Sequence, residues 1–523
     1  MDRPVIDTPY GRIEGTSDGG VTQFLGIPYA SPPTGGGRLR SPSPATPWTG
    51  VRDATVPGNA SLQKLGGNQT WLYEPLPPTS SDCLYLNVWA PDLGGKAPLL
   101  VWFHGGATRN GHGAAGAFHG AHLARRGGVV VVTVNYRLGA LGGLAHPDLV
   151  DPVTGTCANW GLQDKIAALR WIRECAHALG GDADNLTIAG QSSGAMNVAL
   201  MAQHADLDGL FHRMIMQSPP LFQPPMFAEL AEAAEYTEAL AESIGVPVSG
   251  LTALECTTLF EAENAFSKSK DVLARMGRPR TSPVRDGMLV REWPYHGTPA
   301  PLPMLIGWNR DEARFWYDLK DADGSVISPM VAPETEEALV EQVGKLTRLY
   351  YPFAAPPQAD DVIAAYADPS DPLDVDADAV WNDIYTDLVF RAPIVHYATK
   401  HAGTGAPTFA YEFSYPLPSP GKGTPHAFEV PFVFGTTAHP HLARKVGHGD
   451  EVASLSNSMM DMWTSFMRTG DPSISRAAPW SPLQPSEPAV MHLVSAGDVG
   501  MVPLPRSGQL CCWPAFEGRA QQE

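Results

Sequence analysis

Residues Leu186–Met201 read LTIAGQSSGAMNVALM, and the way this run must bend decides the fold. Leu186-Thr187-Ile188-Ala189 is a short apolar stretch of the kind that forms a buried strand, and Ala195–Met201 is an apolar helical stretch. Between them, Gly190-Gln191-Ser192-Ser193-Gly194 has the form G-x-S-x-G. Five residues of such common types mean little alone; the strand before and the helix after make the match specific. A strand that turns at once into a helix strains the backbone of the central residue, so the flanking side chains must be minimal. Gly190 and Gly194 meet that demand. Such a turn lifts the Ser192 hydroxyl above the carboxyl edge of a sheet, where ligands bind in open α/β folds. Ser193 occupies a variable position, and its backbone N–H is the group that matters there.

Working outward, Pro98–Phe103 and Val129–Val134 are short, continuous and rich in β-branched residues. Such runs suit parallel strands covered on both faces. Lys165–Ala178 carries Ile166, Leu169, Ile172 and Cys175 at helical spacing. The strand–helix–strand alternation predicts an α/β fold with a mostly parallel, doubly wound sheet. A helix is predicted from Phe227, with Leu230, Ala234, Thr237, Leu240 and Ile244 along one face, ended by Gly245 and Pro247. The chain to about residue 380 then reads as helices with proline-rich connections, serving either as packing or as a cap over a substrate gorge. Strand character returns at Met304–Gly307 and Phe409–Phe413. With no internal repeat or low-complexity linker, residues 1–523 are read as a single domain.

A serine hydroxyl is a weak nucleophile that needs a base, and the base needs an orienting carboxylate. In a sheet with this elbow they follow in the order serine, acid, histidine. Of the 16 histidines, His426 stands out in the loop Gly423-Thr424-Pro425-His426 that precedes Glu429–Gly435. Asp311-Glu312 follows the strand at Leu305–Gly307 and supplies the acid. Acyl transfer also needs donors aimed at a developing oxyanion. His104-Gly105-Gly106-Ala107 follows the strand ending at Phe103, where small residues let backbone N–H groups point inward.

The composition sets bounds on partners. The chain has 523 residues, 43% hydrophobic and 17% charged, with a formal net charge of −19. That balance argues against binding to nucleic acid or to an anionic membrane. There is no apolar run long enough for a secretion signal or a membrane span. The six cysteines are scattered without zinc-finger or CxxC spacing, which suits free thiols in a reducing compartment. Sequons at Asn59, Asn68 and Asn185 are read as chance matches, Asn185 because it leads into a buried strand. A cytoplasmic protein is expected, with no metal or organic cofactor.

Further blocks now come into view. Gly26-Ile27-Pro28-Tyr29-Ala30 with Pro32-Pro33, Asp82–Trp89, Val134-Asn135-Tyr136-Arg137-Leu138-Gly139, the set Asn159, Gly161-Leu162 and Asp164, and Gly180-Gly181-Asp182 all resemble the signatures of the type-B carboxylesterases, the family that includes the cholinesterases. The resemblance extends from about residue 5 to residue 500 and points to a bacterial-type intracellular member. It implies the α/β-hydrolase fold, with helical insertions capping a gorge. It implies Ser192 as nucleophile, Glu312 rather than Asp311 as the acid, and His426 as the base. Gly106, Ala107 and Ser193 become the oxyanion donors, with Gly105, Gln191 and Ser218 as supporting or pocket residues. For Ser218 a purely structural role is equally open.

The chain departs from the family pattern in places. Gln191 stands where the family usually has glutamate, which weakens any pull on cationic substrates. Ser81 replaces a glutamate, so the usual ion pair with Arg38 is not available. No cysteine precedes Cys83 to close a disulfide loop. Ala107-Thr108 replaces a commoner glycine or alanine followed by phenylalanine. Trp71 lies near where cholinesterases carry a gorge tryptophan, but its spacing to Cys83 differs. The expected activity is hydrolysis of small to medium neutral organic esters. The same triad also serves acyl transfer, lactone formation and amide or carbamate hydrolysis; oligomeric state is not legible.

Overall fold

A computed structural model describes residues 2–514 except 66–69, 222–225, 270–271, 273–280, 282, 318–331, 353–354, 368–375 and 419–422. The Asn68 sequon lies outside the described residues. Among them runs an eleven-stranded sheet. In chain order its strands are β1 (Thr16–Asp18), β2 (Val21–Pro28), β3 (Tyr85–Ala90), β4 (Ala97–Phe103), β5 (Val130–Val134) and β6 (Gly181–Gln191). They continue as β7 (Arg213–Gln217), β8 (Met304–Asn309), β9 (Thr408–Phe413), β10 (Ala489–Ser495) and β11 (Asp498–Pro503). Their spatial order is β11-β10-β9-β8-β7-β6-β4-β5-β3-β2-β1. From β5 across to β10 neighbours are parallel; the pairings of β11 and of β3, β2 and β1 are antiparallel.

Alternation along β4 explains why it reads as one apolar run. Leu99, Val101 and Phe103 pack on one face with Leu169, Ile172 and Val198. Leu100 and Trp102 pack on the other with Leu455, Met459 and Trp463. Both faces are dry, so no polar residue is needed on either. The helices involved are α1 (Trp160–Cys175), α2 (Ser193–Met201) and, on the opposite face, Asp450–Thr469. The chain leaves β4 for β5 on one side and returns to β6 on the other. This reversal opens a crevice at the carboxyl edge, where the elbow and the loop after β4 lie side by side.

Two boundaries differ from the sequence reading. Helix α1 starts at Trp160 and ends at Cys175, not Lys165–Ala178. Its start is fixed by Asn159, which takes a left-handed backbone (φ 61°) and exchanges two hydrogen bonds with Val284, at 2.7 and 2.8 Å. The helix predicted from Phe227 is α3 (Leu230–Ile244); Ala228–Glu229 is instead a short strand paired with Val284–Arg285. Glu229 and Glu232 form a capping box, and Gly245 (φ 80°) ends the helix as expected. Its buried side runs through Ala233, Tyr236, Thr237, Leu240 and Ala241 rather than Leu230, Ala234 and Ile244. Thr237 and Leu240 are buried as expected, and the neighbouring helix α4 (Cys256–Phe266) packs against the helix.

The sequence blocks meet in space. Arg137, at the end of β5, makes a buried two-pronged bond to Asp164 of α1, at 2.8 and 2.7 Å. Arg38, lacking the glutamate at position 81, pairs with Glu255 at 3.0 Å. All six cysteines are free, and burial pushes the Cys83 thiol up to about 12. No helix among the described residues is long and apolar enough to cross a membrane.

Candidate active site

The elbow is as tight as its glycines imply. Ser192 holds φ 54° and ψ −128°, a conformation unfavourable for any side chain. A Cβ on Gly194 would lie 2.0 Å from the Phe103 carbonyl oxygen, and one on Gly190 would lie 2.5 Å from the Gly194 carbonyl carbon. Both obstacles are backbone, so neither can yield. The Ser192 N–H donates to Gln217 O at 2.8 Å, tying the turn to the end of β7.

The loop after β4 lies against this turn. Gly106, Ala107 and Thr108 all have positive φ, at 108°, 54° and 60°. Two of these are non-glycine residues in the left-handed region, so surrounding bonds must hold them there. The Thr108 N–H donates to Ser193 Oγ at 3.2 Å, and Thr108 O accepts from Gly139 N at 2.8 Å. Arg109 makes two 2.8 Å bonds to the buried Glu263 of α4, which also accepts the Tyr236 hydroxyl at 2.9 Å. Gly111 exchanges two bonds with the Gln63 amide, at 2.7 and 2.9 Å. The N–H groups of Gly106, Ala107 and Ser193 donate to no acceptor among the described residues. Behind the loop, His104 stacks on Tyr136 at 4.4 Å, and burial depresses it to about 3, which keeps it neutral.

The expected acid and base, Glu312 and His426, sit in the turn after β8 and in the loop after β9. Glu312 is fully buried, with Oε2 2.5 Å from His426 Nδ1 and Oε1 accepting the Asn309 N–H at 2.7 Å. Asp311 points elsewhere. Its Oδ2 accepts the Thr424 N–H at 2.7 Å and its Oδ1 the Asn382 amide at 2.9 Å, so it moors the histidine loop. Gly423 (φ 54°) has no room for a Cβ beside that carboxylate, which a Cβ would approach to 2.2 Å.

His426 Nε2 has an unexpected neighbour. It lies 2.9 Å from Gln191 Nε2, and the structure has no hydrogen bond from Ser192 Oγ to the imidazole. The rings of Phe315, Trp316 and Phe390 pack around His426, with centroids 5.6, 4.9 and 4.9 Å away. Phe390 belongs to a π-helical turn, Asp387–Arg391, whose buried Asp387–Arg391 ion pair is extended by Arg506. Trp71 packs at a tilt against Phe428, with ring centroids 4.5 Å apart, and so braces the histidine loop.

Sequence reasoning passed over Glu429, Gln217 and Asn309. The fully buried Glu429 accepts from the Gln217 amide at 3.0 Å and from the Asn309 amide at 2.7 Å. Gln217 Oε1 in turn accepts from Trp463 at 3.1 Å. Burial first, and then the Glu312 charge, raises the Glu429 carboxyl above its ordinary value. The three-residue spacing from His426 is the only sequence signal for Glu429. Ser218 directly follows β7 with φ 48°, and its buried hydroxyl has no partner among the described residues. The described residues contain no cluster of three or more His, Cys, Asp or Glu suited to a metal ion.

Ser192, Glu312, His426 and the unused N–H groups thus converge at one sheet edge, with aromatic rings over the imidazole. Comparison with known proteins agrees in fold and chemistry. Residues 2–502 match the carboxylesterase family. Para-nitrobenzyl esterase of Bacillus subtilis (strain 168) is 34% identical over 495 residues, covering 92% of each chain. Phenmedipham hydrolase of Pseudarthrobacter oxydans is 32% identical over 518 residues, covering 96% of each. Among solved structures, a PNB esterase superposes with a TM-score of 0.78 at 28% identity, covering 98% of this chain and 100% of that one. A Geobacillus stearothermophilus carboxylesterase gives 0.79 at 29% identity, covering 97% and 99%. The chain belongs to the carboxylesterase family and is a carboxylic-ester hydrolase.

Proposed function

We propose that Ser192 is the acyl-accepting nucleophile of this enzyme, with His426 as base and Glu312 as the acid that orients it. The observation that carries the reading is the 2.5 Å contact between Glu312 and His426 Nδ1 beside the strained Ser192 turn. The buried carboxylate fixes the tautomer with the proton on Nδ1, so the lone pair that takes the serine proton is the one on Nε2. Ser192 Oγ then attacks the ester carbonyl, and the oxyanion rests on the N–H groups of Gly106, Ala107 and Ser193. His426 returns its proton to the leaving alcohol. Water repeats the sequence and releases the acid.

Neutral organic esters of small to medium size are the proposed substrates. Gln191 presents an amide rather than a charge beside the base, and Phe315, Trp316 and Phe390 offer apolar faces. Residues 1–523 act as one unit, and the six free cysteines suit a cytoplasmic setting. The test is turnover of a para-nitrophenyl ester with products measured with and without an added alcohol. Ser192→Ala is expected to lose all measurable turnover, and Glu312→Gln far more than Asp311→Asn. Wild-type turnover by Ser192→Ala sinks the reading; an ester product formed only with added alcohol redirects it to acyl transfer.

A further inference from the structure

The contact between Gln191 and His426 bears on when the base is available. With the proton on Nδ1, directed at Glu312, the His426 Nε2 carries a single lone pair. The amide nitrogen of Gln191, 2.9 Å away, is a donor and occupies that lone pair. A Cβ on Gly105 would lie 2.6 Å from Gln191 Oε1 and 3.0 Å from Ser192 Cβ, so the missing side chain at 105 makes the space in which the amide lies. Gln191 is itself buried. Ser192, one residue on, remains partly open.

We propose that Gln191 is a positioning residue that holds the base in reserve: in the resting enzyme its amide N–H occupies the His426 lone pair, and it yields that site to the Ser192 hydroxyl when an ester fills the pocket. This rests on the assignment of Ser192 and His426 above. A lone pair already engaged cannot take the serine proton, so the resting hydroxyl stays weakly nucleophilic. The charged side chains facing His426 are Glu312 and, behind it, Glu429; the rings of Phe315, Trp316 and Phe390 pack on it without charge.

The test uses Gln191→Met, which keeps the length of the side chain and removes its donor. The probe is diethyl para-nitrophenyl phosphate, a neutral reagent. In its reaction the serine oxygen bonds to phosphorus, para-nitrophenolate leaves, and the serine proton passes to His426. Phosphorylation of the Gln191→Met enzyme is expected to be about threefold to tenfold faster than wild type, the value of one neutral hydrogen bond. Gln191→Glu, which accepts instead of donating, is expected to be labelled faster in the same way and serves if the methionine variant does not fold. A labelling rate at or below that of the wild type overturns the proposal. Ser192→Ala is the control. If it remains unlabelled the assignment of the nucleophile stands and only the role of Gln191 falls, whereas a labelled Ser192→Ala removes the assignment itself.

Discussion

Two turns leave neighbouring strands at the same sheet edge, and they are held in different ways. The elbow after β6 is held by what is missing: Gly190 and Gly194 have no side chains, and the backbones of β4 and α2 close over the space. The loop after β4 is held by what has been added. Ala107 and Thr108 take left-handed conformations with side chains in place, and Ser193 Oγ, Arg109–Glu263 and Gln63 hold them there. The first turn carries the proposed nucleophile and the second the proposed oxyanion donors. One is built into local sequence, while the other depends on distant helices. Strain in the first cannot relax without unmaking the fold; strain in the second can relax if a brace is lost.

That difference can be broken one brace at a time. The largest effect is expected from Gly194→Ala, where a methyl group must displace the Phe103 carbonyl. Overpacking against backbone should cost about 3 kcal/mol and abolish turnover, as read by thermal melting and ester hydrolysis together. Arg109→Ala comes next. It leaves Glu263 buried without its guanidinium partner, a loss of about 2 kcal/mol once the partial exposure of Arg109 is discounted. The freed loop should lower kcat about tenfold to a hundredfold while KM changes little, because the donors act in the transition state. An unchanged kcat would mean that the loop does not need its tether to α4. Ser193→Ala is the smallest. It removes one hydrogen bond to Thr108 while keeping the backbone N–H, and kcat should fall about threefold to tenfold. A loss as large as that of Ser192→Ala would move the nucleophile to the neighbouring serine.

The same contrast separates what could be read in the sequence from what could not. The elbow and the doubly wound sheet were legible because each depends on short runs in fixed order, whereas the preference for Glu312 over Asp311 came from the family resemblance. The structure gives Asp311 a different task, mooring Thr424, that no spacing announces. The Arg109–Glu263 pair joins residues 154 apart, and the Gln191–His426 contact joins residues 235 apart. Such pairs exist only after the helices between β7 and β9 have packed, so no local pattern encodes them. The face of α3 was read only in part: Thr237 and Leu240 are buried as expected, and packing against α4 adds Tyr236 and Ala241 while Ala234 stays partly exposed. Glu429 was overlooked because a buried carboxyl with two amide partners looks, in sequence, like any glutamate ahead of an apolar run.

The claim on which the rest depends is that the acyl group is carried by Ser192. Rapid acid quench of the enzyme during turnover of a para-nitrophenyl ester, followed by intact-mass and peptide mapping, tests it directly. The account predicts one acyl group per chain, on the peptide containing Gly190–Gly194 and localised to Ser192, absent from Ser192→Ala. An acyl group on Ser193 or Ser218, or turnover with no acylated peptide at any quench time, would contradict it.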